Sequence, residues 1–308
     1  MDFEPSDTQR ALLDALDALL RRHAGPARSR ELAVRGEYDH ALDAKLRAGG
    51  FFELFADADA GPLEAALAVE HIAAELGAVS AVPHLLVLPA LGLPSPEGPV
   101  VLAVRDDPSP VRYGAAARRA LLVGPDRCAA AELVPDDATP VPSAYGYPLA
   151  RVSPAGTTDL DPGTAAAAAD WWRVGVSAEA VGMMRKALDL TVRYAKDRTV
   201  FRRPIGSFQA LQHRLAELSV HVEGARWLTY EAADHGAPAE ASAVAAAHTM
   251  AAVRRLTRET HQIMGAVGLT REHDLHLWTL RLQQLAAEVG GLRGHRRAVT
   301  AARWGAAA

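Results

Sequence analysis

The chain has 308 residues and 49% of them are hydrophobic, enough for a sizeable core in one large domain or two to three small ones. A formal net charge of -4 argues against a broad basic footprint for nucleic acid, and no apolar run reaches the length a membrane helix needs. The single cysteine, Cys128, excludes an internal disulfide and a thiolate metal site and reads as a small apolar strand residue.

The stretch 1–10 is acidic and polar with no apolar h-region, so no secretory signal is expected and the chain reads as cytoplasmic. From 1 to about 93 the pattern is helical. Leu12, Leu13, Leu16, Leu19 and Leu20 share one face, with Asp7 or Thr8 as the expected cap and Gly25-Pro26 as the stop. A second helix is expected over 39–48. A third follows Gly61-Pro62, with Leu63, Ala66, Leu67, Ile72 and Leu76 facing inward. Over 94–154 the period shortens. Apolar runs at 100–104, 111–113, 120–123, 132–134 and 149–152, separated by Gly and Pro, predict a small antiparallel β-domain. The turn-rich piece 154–163 leads back into helix.

Over 164–304 the pattern is helical again. One helix spans 164–196, and Pro204-Ile205-Gly206 breaks the pattern. Ser207 is the expected cap of a helix whose stripe is Phe208, Leu211, Leu215, Leu218, Val222 and Ala225. A third helix spans 239–264. A fourth starts near Arg271, with Leu275, Trp278, Leu282 and Leu285 on its face. The predicted class is mostly α with a small β-domain, divided at 1–93, 94–154 and 164–304, the last part a four-helix bundle.

The turn after the first bundle helix carries Arg198, Arg202 and Arg203. An arginine fork there can meet a diphosphate bidentately, and the N–H groups opening the next helix add anion affinity. On chemistry alone the turn reads equally as a solvated basic helix end, which the helix dipole favours. In order, Tyr194, Arg198, Phe201, Pro204-Ile205-Gly206 and Gln209 resemble a signature of the acyl-CoA dehydrogenase family. Gln262, the loop Gly265-Ala266-Val267-Gly268 and Asp274 resemble its second signature.

The resemblance implies a fold and a chemistry. Members are usually tetramers with FAD at a subunit interface. A glutamate takes the α-proton of an acyl-CoA thioester and a hydride passes to the flavin, giving a 2,3-enoyl-CoA. Carried over by position, Arg198 matches the arginine on the FAD diphosphate, and Val200 and Phe201 match neighbours of the adenosine. Gln209 and Gln262 match glutamines that reach the cofactor, and Gly265 matches the first glycine of the close-approach loop. In the family these groups clamp the FAD bound mainly by the adjacent subunit. Arg173 matches an arginine near the acyl-CoA; its alternative is a helix residue paired with Asp170.

The departures carry equal weight. Arg202 and Ala266 stand where the family has glycines, adding bulk where backbone approaches the cofactor. No counterpart of the Gly-rich flavin segment occurs between 99 and 153. The slot of the catalytic glutamate falls on Gly290, and a second known location falls on Trp172. Glu288, two residues off, reads either as a shifted base or as an ordinary exposed helix carboxylate. The resemblance therefore implies the base-less subunit of a heteromeric acyl-CoA dehydrogenase, as in actinobacterial sterol breakdown. It would act on an acyl-CoA with a homologous dehydrogenase subunit as partner. Two alternatives stay open: a self-sufficient FAD enzyme with Glu288 as base, and a flavin-free homologue with another activity. His273 and His276, flanked by Glu272 and Asp274, lack a distant third ligand and read as a helix start; no metal is expected.

Overall fold

In the computed structural model, which describes residues 6–305, the first helix α1 (Asp7–His23) opens on Ser6, not on Asp7 or Thr8. Residues 1–5, half of the polar N-terminal stretch, lie outside the described part. Ser6 wins because Gln9 lies three residues on. The Ser6 hydroxyl accepts the Gln9 N–H (3.1 Å) while the Gln9 side chain accepts the Ser6 N–H (2.8 Å), a capping box. Gly25-Pro26 stops α1 as expected, but a helix the sequence reading missed, α2 (Pro26–Arg35), restarts at once. Pro26 sits in its first turn, where a missing N–H costs nothing. α3 (His40–Ala48) is capped by Asp39, whose carboxylate accepts the Leu42 N–H. α4 (Pro62–Ala74) is apolar on nearly all sides and buried accordingly. A π-helical turn (Pro83–Val87) runs into the single α-turn α5 (Leu88–Ala90).

The strands are β1 (Val100–Val104), β2 (Val111–Arg112), β3 (Arg119–Val123), β4 (Cys128–Glu132), β5 (Ala138–Val141), β6 (Leu149–Val152) and β7 (Thr158–Asp159). They form two sheets, ordered β1-β3-β4-β7 and β2-β6-β5. The expectation of an all-antiparallel domain is wrong in one place. β2 leaves for the second sheet, so β1 and β3 pair in parallel, Val100 opposite Arg119 through Val104 opposite Val123. The strand expected at 132–134 lies earlier, at Cys128–Glu132, because the turn after Val123 sets the register against β3. Cys128 is fully buried there.

The bundle starts with the 34-residue α6 (Thr164–Asp197). A two-stranded turn of β8 (Thr199–Val200) and β9 (Arg203–Pro204) precedes α7 (Gln209–Asp234) and α8 (Ala239–Met264). Ser207 does not cap α7. Its hydroxyl donates to the Pro204 carbonyl, and Phe208 holds the cap position. Of the α7 stripe, Leu218, Val222 and Ala225 are buried, while Phe208, Leu211 and Leu215 are only partly covered. After the short α9 (Ala266–Leu269), the fourth helix starts later than expected, as α10 (Leu275–Leu285). It breaks at Glu288–Gly290, where Val289 takes a φ of +52°, and resumes as α11 (Gly291–Trp304).

Two glycines set how closely α6 approaches the N-terminal helices. A Cβ at Gly182 would sit 2.1 Å from the Glu70 carbonyl oxygen of α4, and one at Gly175 would sit 2.2 Å from Val82 Cγ1. The bundle is also hydrogen-bonded to the N-terminal helices. The Trp278 indole donates to the Ala74 carbonyl (2.8 Å), and the buried Arg281 donates to Leu76 O (2.9 Å) and Ser29 Oγ (3.0 Å). Among the described residues, no helix is long and apolar enough to cross a membrane.

Candidate functional site

A cavity of about 400 Å³ opens between β1, β2, α6 and the kink between α10 and α11. At its polar end stands Arg112, placed on the edge of a two-residue strand. Its two terminal nitrogens donate to the two carboxylate oxygens of Glu179 on α6, both at 2.9 Å. Its Nε lies 2.7 Å from Glu288 Oε1, and its Nη2 lies 3.2 Å from Glu288 Oε2. The Trp172 indole approaches the same Glu288 oxygen at 3.4 Å. The guanidinium also lies against the ring of Tyr147, 5.1 Å from its centroid.

Glu288 is therefore not an exposed helix carboxylate. The kink turns its side chain inward to 13% exposure, and burial pushes its carboxyl up, against the pull of Arg112 and with help from Glu179. Burial disfavours the charge on Arg112, but Glu179 and Glu288 outweigh it and hold the guanidinium firmly protonated. Burial pushes the Tyr147 phenol up to about 12 and the Tyr113 phenol higher still. The Tyr113 hydroxyl is buried on the cavity wall without a hydrogen-bond partner among the described residues. Trp172, Glu288 and Gly290, the three positions weighed for the base, all line this one cavity. Arg173 is not among the lining residues; it donates to Asp170 Oδ1 at 2.6 Å.

The other sequence-selected residues gather at the far end of the bundle. Arg198 ends α6, and its carbonyl accepts the Ile205 N–H (2.8 Å), closing the turn. Val200 pairs with Arg203 across it. Phe201 (φ +52°) and Arg202 (φ +64°) both adopt left-handed backbone, so the arginine in the glycine slot is held where glycine is favoured. Phe201 is 86% exposed. Arg203 stacks on Phe208 at 4.0 Å.

The second motif arrives at the same end. The Thr191 hydroxyl lies 3.9 Å from the Met264 sulfur, Tyr194 packs edge-on against His273, and Arg214 donates to Glu259 at 2.6 Å. Gly265 closes α8 with φ +61°, a conformation that calls for glycine. Arg198, Gln209 and Gln262 are exposed, and their side chains have no hydrogen-bond partner among the described residues. His273 Nδ1 accepts the Leu275 N–H, and His276 Nδ1 bonds the His273 carbonyl, so both rings serve the start of α10. Along α6, about 28 Å separates Glu179 from Arg198, at 1.5 Å per residue.

Residues 163–303 match the sequence profile of the acyl-CoA dehydrogenase C-terminal domain. Residues 163–303 thus form an acyl-CoA dehydrogenase C-terminal domain. The chain's relatives include acyl-CoA dehydrogenase IpdE2 of Mycolicibacterium smegmatis, 40% identical over 154 residues, which are 50% of this chain and 48% of that one. Acyl-CoA dehydrogenase FadE34 of Mycobacterium tuberculosis is 37% identical over 41% of this chain and 19% of its own length. The chain thus spans about half, or less, of the length of the curated relatives it matches. The fold matches over nearly the whole chain. The ChsE4-ChsE5 complex from Mycobacterium tuberculosis superposes with a TM-score of 0.80 at 23% identity, over 96% of this chain and 97% of the other. Butyryl-CoA dehydrogenase from Megasphaera elsdenii superposes with a TM-score of 0.82 at 19% identity, over 98% and 99%. The acyl-CoA dehydrogenase fold read from the motifs, mostly α with a small β region, is the fold observed.

Sequence reasoning missed Arg112, Glu179, Tyr113 and Tyr147. For Glu179 a signal existed: an acid inside the apolar run 174–184 must be buried, and a buried carboxylate needs a partner. Arg112 between Val111 and Tyr113 on a short strand is the matching cation.

Proposed function

We propose that the chain is the base-less, flavin-clamping subunit of a heteromeric acyl-CoA dehydrogenase that oxidises an acyl-CoA thioester to its 2,3-enoyl form. The observation that carries the reading is the separation along α6. Arg198 stands about 28 Å along α6 from Glu179 of the chain's own cavity, a distance no side chain spans, and Arg198, Gln209 and Gln262 are exposed and unbonded among the described residues. They fit a diphosphate reaching them from a homologous partner subunit. Arg198 would grip that diphosphate, and Gly265, without a Cβ, would admit its close approach. FAD, when bound, supplies the hydride acceptor.

The cavity supports the same reading. Glu288 has both carboxylate oxygens engaged by Arg112, so no free carboxylate stands ready for an α-proton. A second reading, Glu288 as the base of a self-sufficient enzyme, is favoured by its place in the cavity and its raised carboxyl pKa. It requires Arg112 to let go when substrate enters.

Dye reduction with a panel of acyl-CoAs, recorded together with the flavin spectrum, separates the readings in complexes co-purified with a homologous dehydrogenase. Arg198→Ala should weaken FAD retention about ten- to a hundredfold, the value of one charge-assisted hydrogen bond. Glu288→Gln should leave the rate of the assembled complex nearly unchanged, whereas loss of a general base costs about 10²–10⁴-fold. A collapse of rate with flavin still bound in Glu288→Gln makes Glu288 the base. Unchanged FAD affinity in Arg198→Ala removes the clamp. A colourless protein in every combination favours a flavin-free activity.

A further inference from the structure

We propose that the groove between α8 and α11 is a second anion site, taking the ADP diphosphate of a nucleotide-bearing ligand. The inference is independent of the clamp at Arg198. Arg254 and Arg258 from α8, and Arg293, Arg296 and Arg297 from α11, line two adjoining hollows of about 670 and 650 Å³ that share Arg254 and Arg293. No acidic residue lines either hollow. Arg258 pairs with Glu259 at 3.1 Å, while the guanidinium groups of Arg254, Arg293, Arg296 and Arg297 have no partner among the described residues. The neighbour Arg255, on another side of α8, is neutralised by Glu217. Four of the unpaired arginines are therefore gathered on one groove of a chain whose net charge is negative.

This arrangement costs stability in the free chain. Arg254 and Arg258, like Arg293, Arg296 and Arg297, are like charges spaced three or four apart on helices, and each such pair repels. Arg293 also stands in the first turn of α11, the positive end of the helix dipole. A diphosphate removes both penalties, and arginine is the side chain that grips phosphate bidentately.

Two further observations shape the ligand. The Thr257 hydroxyl lies on the first hollow, buried and without a partner among the described residues, and can donate to a phosphate or ribose oxygen. Met250 and Val253 give the same hollow an apolar floor against which an adenine can lie. The hollow also adjoins the cavity of Glu288, because Ala287 and Gly290 line both. A ligand anchored by its nucleotide in the groove can thus point its other end toward the kink. FAD and acyl-CoA both carry an ADP moiety, and that shared chemistry is what the groove recognises.

Isothermal titration of the full chain at low salt with ADP, coenzyme A, FAD and inorganic pyrophosphate tests the site. Saturable binding of ADP is expected, weakened at least tenfold in the double variant R254A/R293A and screened by salt. Both arginines are exposed, so the melting temperature of the variant should match that of the parent. The Arg198→Ala variant should bind ADP as the parent does. Coenzyme A binding tighter than ADP assigns the groove to the thioester substrate, and FAD binding tighter than both assigns it to the cofactor. The proposal is overturned if none of the four ligands saturates, if R254A/R293A binds ADP unchanged, or if only an acidic polypeptide such as poly-glutamate binds.

Discussion

The middle of α6 and its C-terminal end have opposite states of bonding. Near Trp172 and Glu179 the side chains are buried, and Arg112 has satisfied both of its carboxylate partners within the chain. At the C-terminal end the side chains of Arg198 and Gln209 are exposed and unbonded among the described residues, and Phe201 and Arg202 hold left-handed backbone between them. A group that completes its bonding inside one chain stabilises that chain; a group left open at a strained turn is available to something outside it. By that criterion the middle is a lock between the β-domain and the bundle, and the C-terminal end is the surface proposed to meet a ligand from outside the chain.

The sharpest way to break the contrast is Arg112→Met. It leaves Glu179 and Glu288 as neighbouring buried anions, and removal of one partner from a buried ion pair costs about 3–5 kcal/mol. Urea denaturation should show that loss, and adding Glu179→Gln with Glu288→Gln should recover most of it. A cost below about 1 kcal/mol, the range of an exposed pair, would mean that the cluster locks nothing.

Gly182→Ala should come next. Its new methyl meets the Glu70 carbonyl, and overpacking of that kind costs roughly 1–3 kcal/mol, read as a lower melting temperature. A neutral result would show that α4 and α6 can move apart freely.

The smallest effect concerns pH. His84 bonds Ser95 Oγ (2.7 Å) and the Gly98 carbonyl (2.9 Å), and burial, with Arg47 nearby, lowers its pKa from 6.5 to about 4. The unfolded chain therefore binds this proton first. The stability it contributes is complete above about pH 6.5 and drains away as the pH falls toward 4. Between pH 6.5 and 5.5 the parent should lose about 1 kcal/mol more than His84→Gln does. Parallel stability curves for the two proteins would refute the assignment.

Much of the fold was legible because helix period and turn chemistry are local. The bundle helices 164–196 and 239–264, and the third helix after Gly61-Pro62, emerged where periodicity placed them. α2 was missed because Gly25-Pro26 stops one helix and starts another with the same two residues. The parallel β1–β3 pair was missed because the choice of sheet for β2 is a tertiary decision. The proposed clamp residues could be found from motifs, since each of the two motifs is a short local stretch of sequence. The cavity could not: Arg112, Glu179 and Glu288 come from three elements far apart in the chain, and nothing local declares that they meet.

The length of α6 acts on direction as well as distance. Each residue turns the helix by about 100°, so Glu179 and Asp197, about five whole turns apart, leave it on the same side. Arg198 follows a quarter-turn on. Deleting a single residue between them would move the helix end by only about 1.5 Å but rotate everything beyond it by more than a quarter of a circle. The lock at mid-helix thereby fixes the compass bearing of the proposed recognition surface at the helix end, and the helix serves as the dial between them.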